Sequence, residues 1–236
     1  MSDPFKPKNH LLAKLSPVAI ARLMPDLERL DLNFGDKVYS PGDVFSHVYF
    51  VEAGIVSLLA DVDEFSIMEL AIVGAEGMVA LPVFLGVTTS NDRAIVQGKG
   101  IALRMKVADF LTECAVSDEL PRVLRLFTYS LLMQIARSAA CNRFHLIDAR
   151  LARWLLMTED RMGRPEFQIT QEFLSYMLGV RREAVNRAAT IFQRRKLISY
   201  SRGKMSIDNR AELEMIACDC YEFMSNSTVR AQPALT

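Results

Sequence analysis

Long apolar runs are missing from this chain of 236 residues, although half of it is hydrophobic. Without a run of about 18 apolar residues, no segment is built to span a bilayer as a helix. The opening stretch MSDPFKPKNHLL also lacks the apolar core of a secretory signal. The expectation is a cytoplasmic protein with no membrane partner. Cysteine is scarce: Cys114, Cys141, Cys218 and Cys220, with no C-x-x-C pair. Histidine is scarcer, at His10, His47 and His145. This spacing predicts scattered free thiols in a reducing compartment, no metal site and no cofactor. The Cys218-Asp219-Cys220 pair leaves a redox role open.

Net charge is absent too, with 28 basic against 28 acidic residues, but the balance is uneven along the chain. Residues 1–142 hold 13 basic and 17 acidic groups, residues 143–210 hold 14 and 7, and residues 211–236 hold 1 and 4. A basic segment beside an acidic one points to a polyanionic partner for that segment alone. A solvated arginine-rich surface is the alternative.

What is present divides the chain. Residues 9–30 read as short helices, with Leu12, Leu15, Ile20, Leu23 and Leu27 at helical spacing and Ser16 capping before Pro17. Residues 31–110 carry short β-branched runs, with Gly35, Gly42, Gly54 and Gly98 read as turn punctuation. Such a run of strands suggests a sandwich or barrel. Residues 117–143 form a long helix in which Leu124, Phe127, Leu131 and Ile135 make one apolar stripe, with Val123, Leu126 and Met133 elsewhere on the cylinder. Two apolar faces call for two partners. One is the β domain, and the stripe is assigned to a second copy of the chain, against the alternative of burial within one domain. A helix over 146–160 follows, with Leu146, Ile147, Leu151, Trp154 and Leu155 inward. The tail over 225–236 reads as disordered.

The stretch ITQEFLSYMLGVRREAVNRAATIFQRRKLISYSRGKMSI is the most informative. Thr170 caps a helix ending near Leu178, and Gly179 permits a sharp turn. Ser175 is small where a second helix must cross. That second helix, from about Arg181, has Val185, Ala188, Ala189 and Phe192 on one side and Arg181, Arg182, Glu183, Asn186 and Arg187 on the other. This is a helix-turn-helix pattern. Residues 197–200 and 205–207 flank a basic tip, Ser201-Arg202-Gly203-Lys204, so the unit is a winged helix. Arginine forms two hydrogen bonds to guanine, and glutamate accepts from cytosine N4. A binder that only neutralised phosphates would not place an anion beside them. Arg182, Glu183 and Arg187 are therefore the expected base readers of double-stranded DNA. Thr170, Gln171, Arg181, Asn186, Arg202 and Lys204 are the expected phosphate or supporting contacts. The alternative is an ordinary solvated ion-pair row.

With these residues in hand, the chain resembles the CRP/FNR family of bacterial transcription regulators over nearly its whole length. Arg182-Glu183-Ala184-Val185-Asn186-Arg187 matches the family's R-E-x-V-x-R pattern, and Ile169-Thr170 and Leu197-Ile198-Ser199 match its helix start and wing entry. The Pro41-Gly42-Asp43 turn and the strand connection at Gly54 resemble its cyclic-nucleotide-binding β-roll. The resemblance implies an α+β fold: a jelly-roll-like β-roll sensor domain over 1–116, a dimerisation helix and hinge over 117–145, and a winged helix-turn-helix over 146–224. It implies a homodimer on a palindromic site with TGTGA-like half-sites, RNA polymerase as a further partner, and signal transmission through a hinge near Asn142–Leu146. Where the family places Gly-Glu for the ribose and Arg-Ser for the cyclic phosphate, this chain has Ala80-Leu81 and Asp92-Arg93. Leucine accepts no hydrogen bond and aspartate repels phosphate, so an unknown effector other than cyclic AMP is expected, if one exists. The N-terminal region has no cysteine cluster for an iron–sulfur sensor, and His10 and His47 read as surface histidines rather than haem ligands. The chain is not expected to be an enzyme. The alternatives are a cupin-like β-barrel enzyme, for which the strands offer only His47, and a ligand-binding β-barrel whose basic C-terminal module docks a protein.

Overall fold

The computed structural model describes residues 6–61 and 67–230, with side chains as far as residue 225. The chain divides into two compact bodies. One takes the described residues up to Val56 together with Val73–Tyr129, and the other takes Ser57–Ile72 together with the described residues from Ser130 onward.

The first body opens with a 3₁₀ turn, Leu12–Lys14, then α1 (Pro17–Leu23) and a second turn, Met24–Asp26. Ser16 caps α1 as its sequence predicts, its hydroxyl accepting the Ala19 N–H at 3.2 Å. The strands of the larger sheet are β1 (Glu28–Leu32), β2 (Lys37–Tyr39), β3 (His47–Asp61), β4 (Ile67–Val73), β5 (Met78–Val79) and β6 (Arg93–Lys106), the end of β3 and most of β4 belonging to the second body. They form a six-stranded sheet in the order β1-β6-β3-β4, with β2 on β6 and β5 on β3. Val48, Phe50, Ile55, Ala94, Val96 and Ala102 are fully buried in its core. The fold is α+β, as expected.

Gly35 and Gly42 do sit in turns with positive φ, but Gly54 and Gly98 lie inside long strands. Gly54 has φ +90°, and a Cβ there would stand 2.4 Å from the Gly98 carbonyl oxygen. Gly54 and the facing Gly100 allow two backbones to approach closely, so one 15-residue strand replaces the two short runs read from the sequence. Two helices follow: α2 (Val107–Val116), which the sequence did not announce, and α3 (Glu119–Phe144).

The stripe assigned to dimerisation is corrected by burial within the chain. Leu124 is 0% exposed, Phe127 and Leu131 7% each, and Ile135 is half-buried. The Phe127 ring lies so close to Gly77 that a Cβ on that glycine would meet it at 2.4 Å. The residues that α3 leaves open are Tyr129, at 59%, and Leu132, at 56%, followed by Ala136, Ala139 and Ala140. This open face is neither the stripe nor the Val123, Leu126 and Met133 positions read from the sequence, and Val123 is itself buried.

The second body adds α4 (Ile147–Met162), β7 (Glu166–Gln168), α5 (Gln171–Leu178), α6 (Arg182–Arg194), β8 (Ile198–Ser201), β9 (Lys204–Ile207), α7 (Arg210–Ile216) and α8 (Cys220–Arg230). Leu151, Trp154 and Leu155 are buried as expected. Leu146 precedes the helix and is 82% exposed, contrary to the inward position read for it. Gly163, in the left-handed region, ends α4. Arg210 joins three segments, reaching Glu159 at 2.7 Å, Asp160 at 2.8 Å and the Tyr221 hydroxyl at 2.6 Å. The expected tail begins inside α8, which continues to Arg230; residues 231–236 lie outside the described residues.

Candidate nucleic-acid interface

Thr170 starts α5 by accepting the Phe173 N–H on its hydroxyl at 3.0 Å. Leu174, Met177 and Leu178 are buried, and Ser175 is small enough to be buried with them. Gly179 then turns the chain at φ +57°. Its N–H donates to the Tyr176 carbonyl, and the Val180 N–H donates to that of Ser175, each at 3.1 Å. These two bonds make a Schellman closure, which needs a residue in the left-handed region and so favours glycine. Arg181 is extended and leads directly into α6.

On α6, Val185, Ala188, Ala189 and Phe192 are buried. Arg182, Glu183, Asn186 and Arg187 are exposed. Arg182, Glu183 and Arg187 form no ion pair with one another among the described residues. These groups keep their hydrogen-bonding capacity facing outward. Gln171 donates to Asn186 Oδ1 at 3.1 Å, bracing the two helices.

The wing is a two-residue hairpin. Arg202 at φ +50° and Gly203 at φ +77° form its turn, and Ser201 pairs with Lys204. The Gly203 carbonyl accepts the Ile169 N–H at 2.8 Å, which ties the wing to the start of α5. Strand β7, too short to read from the sequence, completes a three-stranded sheet in the order β7-β9-β8. Arg202 is exposed. Lys204 is exposed too, but its ammonium lies 3.3 Å from Glu166, a pairing that sequence spacing did not suggest.

The entering end of α6 borders a cleft of about 890 Å³ lined by Ser175, Tyr176, Arg181, Arg182 and Arg187, and also by Ile67 and Met68 of β4. Strand β4 is held there by Trp154, whose indole N–H donates to Glu69 at 3.0 Å, and by Asn142, 3.3 Å from the Met68 sulfur. Desolvation pushes the Glu69 carboxyl up to about 7, against the opposing pull of its hydrogen bonds from Ser57 and Trp154 and of nearby Arg153 and Arg161.

In the first body, Leu81 is buried and Ala80 has φ +66°. Asp92 accepts from the Ser90 hydroxyl at 2.8 Å and from the Tyr39 hydroxyl at 3.4 Å. Both departures from the nucleotide-binding pattern thus sit in well-packed positions. Cysteine placement also differs from the sequence expectation. Cys114 stands apart, its thiol pushed up to about 11 by burial first and by Glu113 second. Cys141, Cys218 and Cys220 instead converge with His145 as the one group among the described residues able to hold a metal.

Comparison with known proteins agrees with this geometry. Residues 149–216 match the Crp-like helix-turn-helix domain. The chain is 28% identical over 195 residues to the CRP-like cAMP-activated global transcriptional regulator of Mycobacterium tuberculosis, covering 77% of this chain and 84% of that protein. A protein from Eubacterium rectale assigned to the CRP/FNR family superposes with a TM-score of 0.69 at 18% identity, over 88% of this chain and 97% of that one. The c-di-GMP responsive global regulator CLP of Xanthomonas campestris gives 0.66 at 18%, over 81% and 99%. These two likenesses concern the fold. The relatives are regulators rather than enzymes, which sets the cupin-like enzyme aside. Residues 149–216 are thus a Crp-like helix-turn-helix domain, and over most of its length the chain is similar to CRP-like transcription regulators.

Proposed function

We propose that the chain acts in the cytoplasm as a homodimer that reads a palindromic DNA site through α6. Two copies of α6 enter successive major grooves about one helical turn apart. Arg182 and Arg187 bond guanine edges and Glu183 accepts from cytosine, on half-sites like TGTGA. Thr170, Arg181, Arg202 and Lys204 hold phosphates, while Gln171 and Asn186 brace the reading face. The observation that carries this reading is the exposed, mutually unpaired set Arg182, Glu183 and Arg187 on the first turns of α6.

Dimerisation uses the open face of α3, through Tyr129, Leu132, Ala136 and Ala140, in place of the buried Leu124, Phe127 and Leu131. Residues 1–116 serve as the sensing domain, 117–145 as dimer helix and hinge, and 146–224 as the reading head, with RNA polymerase as a further partner. The effector is a small molecule other than cyclic AMP. Leu81 supports this because it offers no group to a ribose, and Asp92 because it sets a carboxylate where a cyclic phosphate would need a cation. A signal acts by shifting the head about the hinge at Asn142–Leu146 between two arrangements.

Selection from random duplex DNA by gel shift tests the reading. It should enrich a two-fold symmetric site whose complex is unaffected by added cyclic AMP. Enrichment of no sequence, with uniform weak binding, would refute base reading.

A further inference from the structure

Cys141 lies on the last turn of α3, and His145 follows four residues on, its N–H still bonded to the Cys141 carbonyl at 3.1 Å. That spacing sets both side chains on one side of the helical path. Cys218 lies in the link between α7 and α8, and Cys220 begins α8. The Sγ atoms of Cys141 and Cys218 are 3.5 Å apart. Cys220 Sγ is 3.6 Å from His145 Nδ1. All four donor atoms lie within 4.8 Å of one another, with Cys141 and Cys220 buried and the other two half-buried.

These separations suit one tetrahedral ion. Zinc bonds sulfur at about 2.3 Å and imidazole nitrogen at about 2.0–2.1 Å; at a tetrahedral angle this sets S···S near ~3.8 Å and S···N near ~3.6 Å. The Cys141–Cys218 and Cys220–His145 separations fall within a few tenths of an ångström of these, and no other pair exceeds 4.8 Å. The cysteines are free rather than bridged. A multi-iron cluster would interpose its own irons and sulfides and spread the donors further apart.

Charge supplies a second, independent observation. Arg150 and Arg153 on α4 are 7% and 6% exposed, and the Nε of each lacks a hydrogen-bond partner among the described residues. Arg153 otherwise meets the sulfurs of Met157 and Met224. Neither guanidinium forms a carboxylate ion pair among the described residues. Buried cations need compensating charge. Arg150 lies within coulombic reach of Cys141 and Cys218, and Arg153 of Cys141 as well as of Glu69, whose burial favours its neutral form. Three thiolates around a dication carry one net negative charge, which these arginines would offset.

We propose that Cys141, His145, Cys218 and Cys220 bind one zinc ion in a closed Cys₃His site. On binding, the three thiols lose their protons to solvent and neutral His145 donates through Nδ1. The ion then ties the end of α3 to the start of α8, with two ligands bracketing the segment that leads into α4.

The test uses the full chain, purified under reducing conditions, stripped with a chelator and given zinc alone. Elemental analysis should find one zinc per chain, and cobalt in its place should show the intense visible bands of a tetrahedral thiolate site. Cys218→Ser and His145→Ala, both at half-buried positions, should each weaken zinc binding by more than ~100-fold, beyond the loss typical of an outer-shell change. Circular dichroism checks that both variants remain folded. Three results would overturn the proposal: a folded wild-type chain that takes up no zinc after reduction, variants that hold zinc as tightly as wild type, or iron with stoichiometric sulfide in the purified protein.

Discussion

Glu69 holds a carboxyl in a setting that favours its neutral form, between the Ser57 hydroxyl and the Trp154 indole. Its folded value of about 7 stands above the ordinary 4.5, because burial penalises the charged form. The folded chain therefore binds this proton more tightly than the unfolded chain does. Its contribution to stability is fully present below about pH 4.5 and is lost as the pH rises toward about 7. Glu69→Gln should flatten that part of the curve, measured as thermal midpoint against pH. An unchanged slope in the variant would remove Glu69 as its source. Residues of this kind were not visible in the sequence, where Glu69 is one acid in an apolar run. Arg182, Glu183 and Arg187 were visible, because Gly179 and the apolar spacing of Val185, Ala188 and Phe192 fix the helix face locally.

Helix α3 shows where element-level reading stops. Its length was legible, but the face it leaves open, Tyr129, Leu132 and Ala136, was not one of the two read from the sequence, and only the folded chain places Phe127 against Gly77. The correction has a direct consequence. Leu124→Ala should cost about 2–5 kcal/mol of stability, the usual range for a buried leucine, and leave the dimer intact. Leu132→Glu should leave folding unchanged and yield a monomer by sedimentation, because it places charge on the open face. A dimer that survives Leu132→Glu would exclude this face from the interface. Gly54, read as a turn and found inside β3, teaches a similar lesson. Glycine marks both turns and close backbone crossings, and sequence spacing does not tell the two apart.

Over the whole molecule, the run of strands, the long helix and the winged helix-turn-helix followed from local signals and the α+β class from the resemblance, whereas long-range convergence followed from neither. Cys141 and Cys218 are 77 residues apart in sequence, so spacing rules for metal ligands could not join them. The uneven charge was legible at this scale, with the basic excess confined to residues 143–210, the segment that holds α6 and the wing. Its purpose depends on α6 reading bases rather than coating the surface with charge. Binding of wild-type and Arg182→Ala chains to the selected site and to a scrambled duplex, at one salt concentration, tests that directly. The variant should lose roughly 1–3 kcal/mol on the selected site, relax preference at one base pair, and bind the scrambled duplex almost as wild type does. An equal loss on both duplexes would mean that Arg182 contacts only phosphate, contradicting the account.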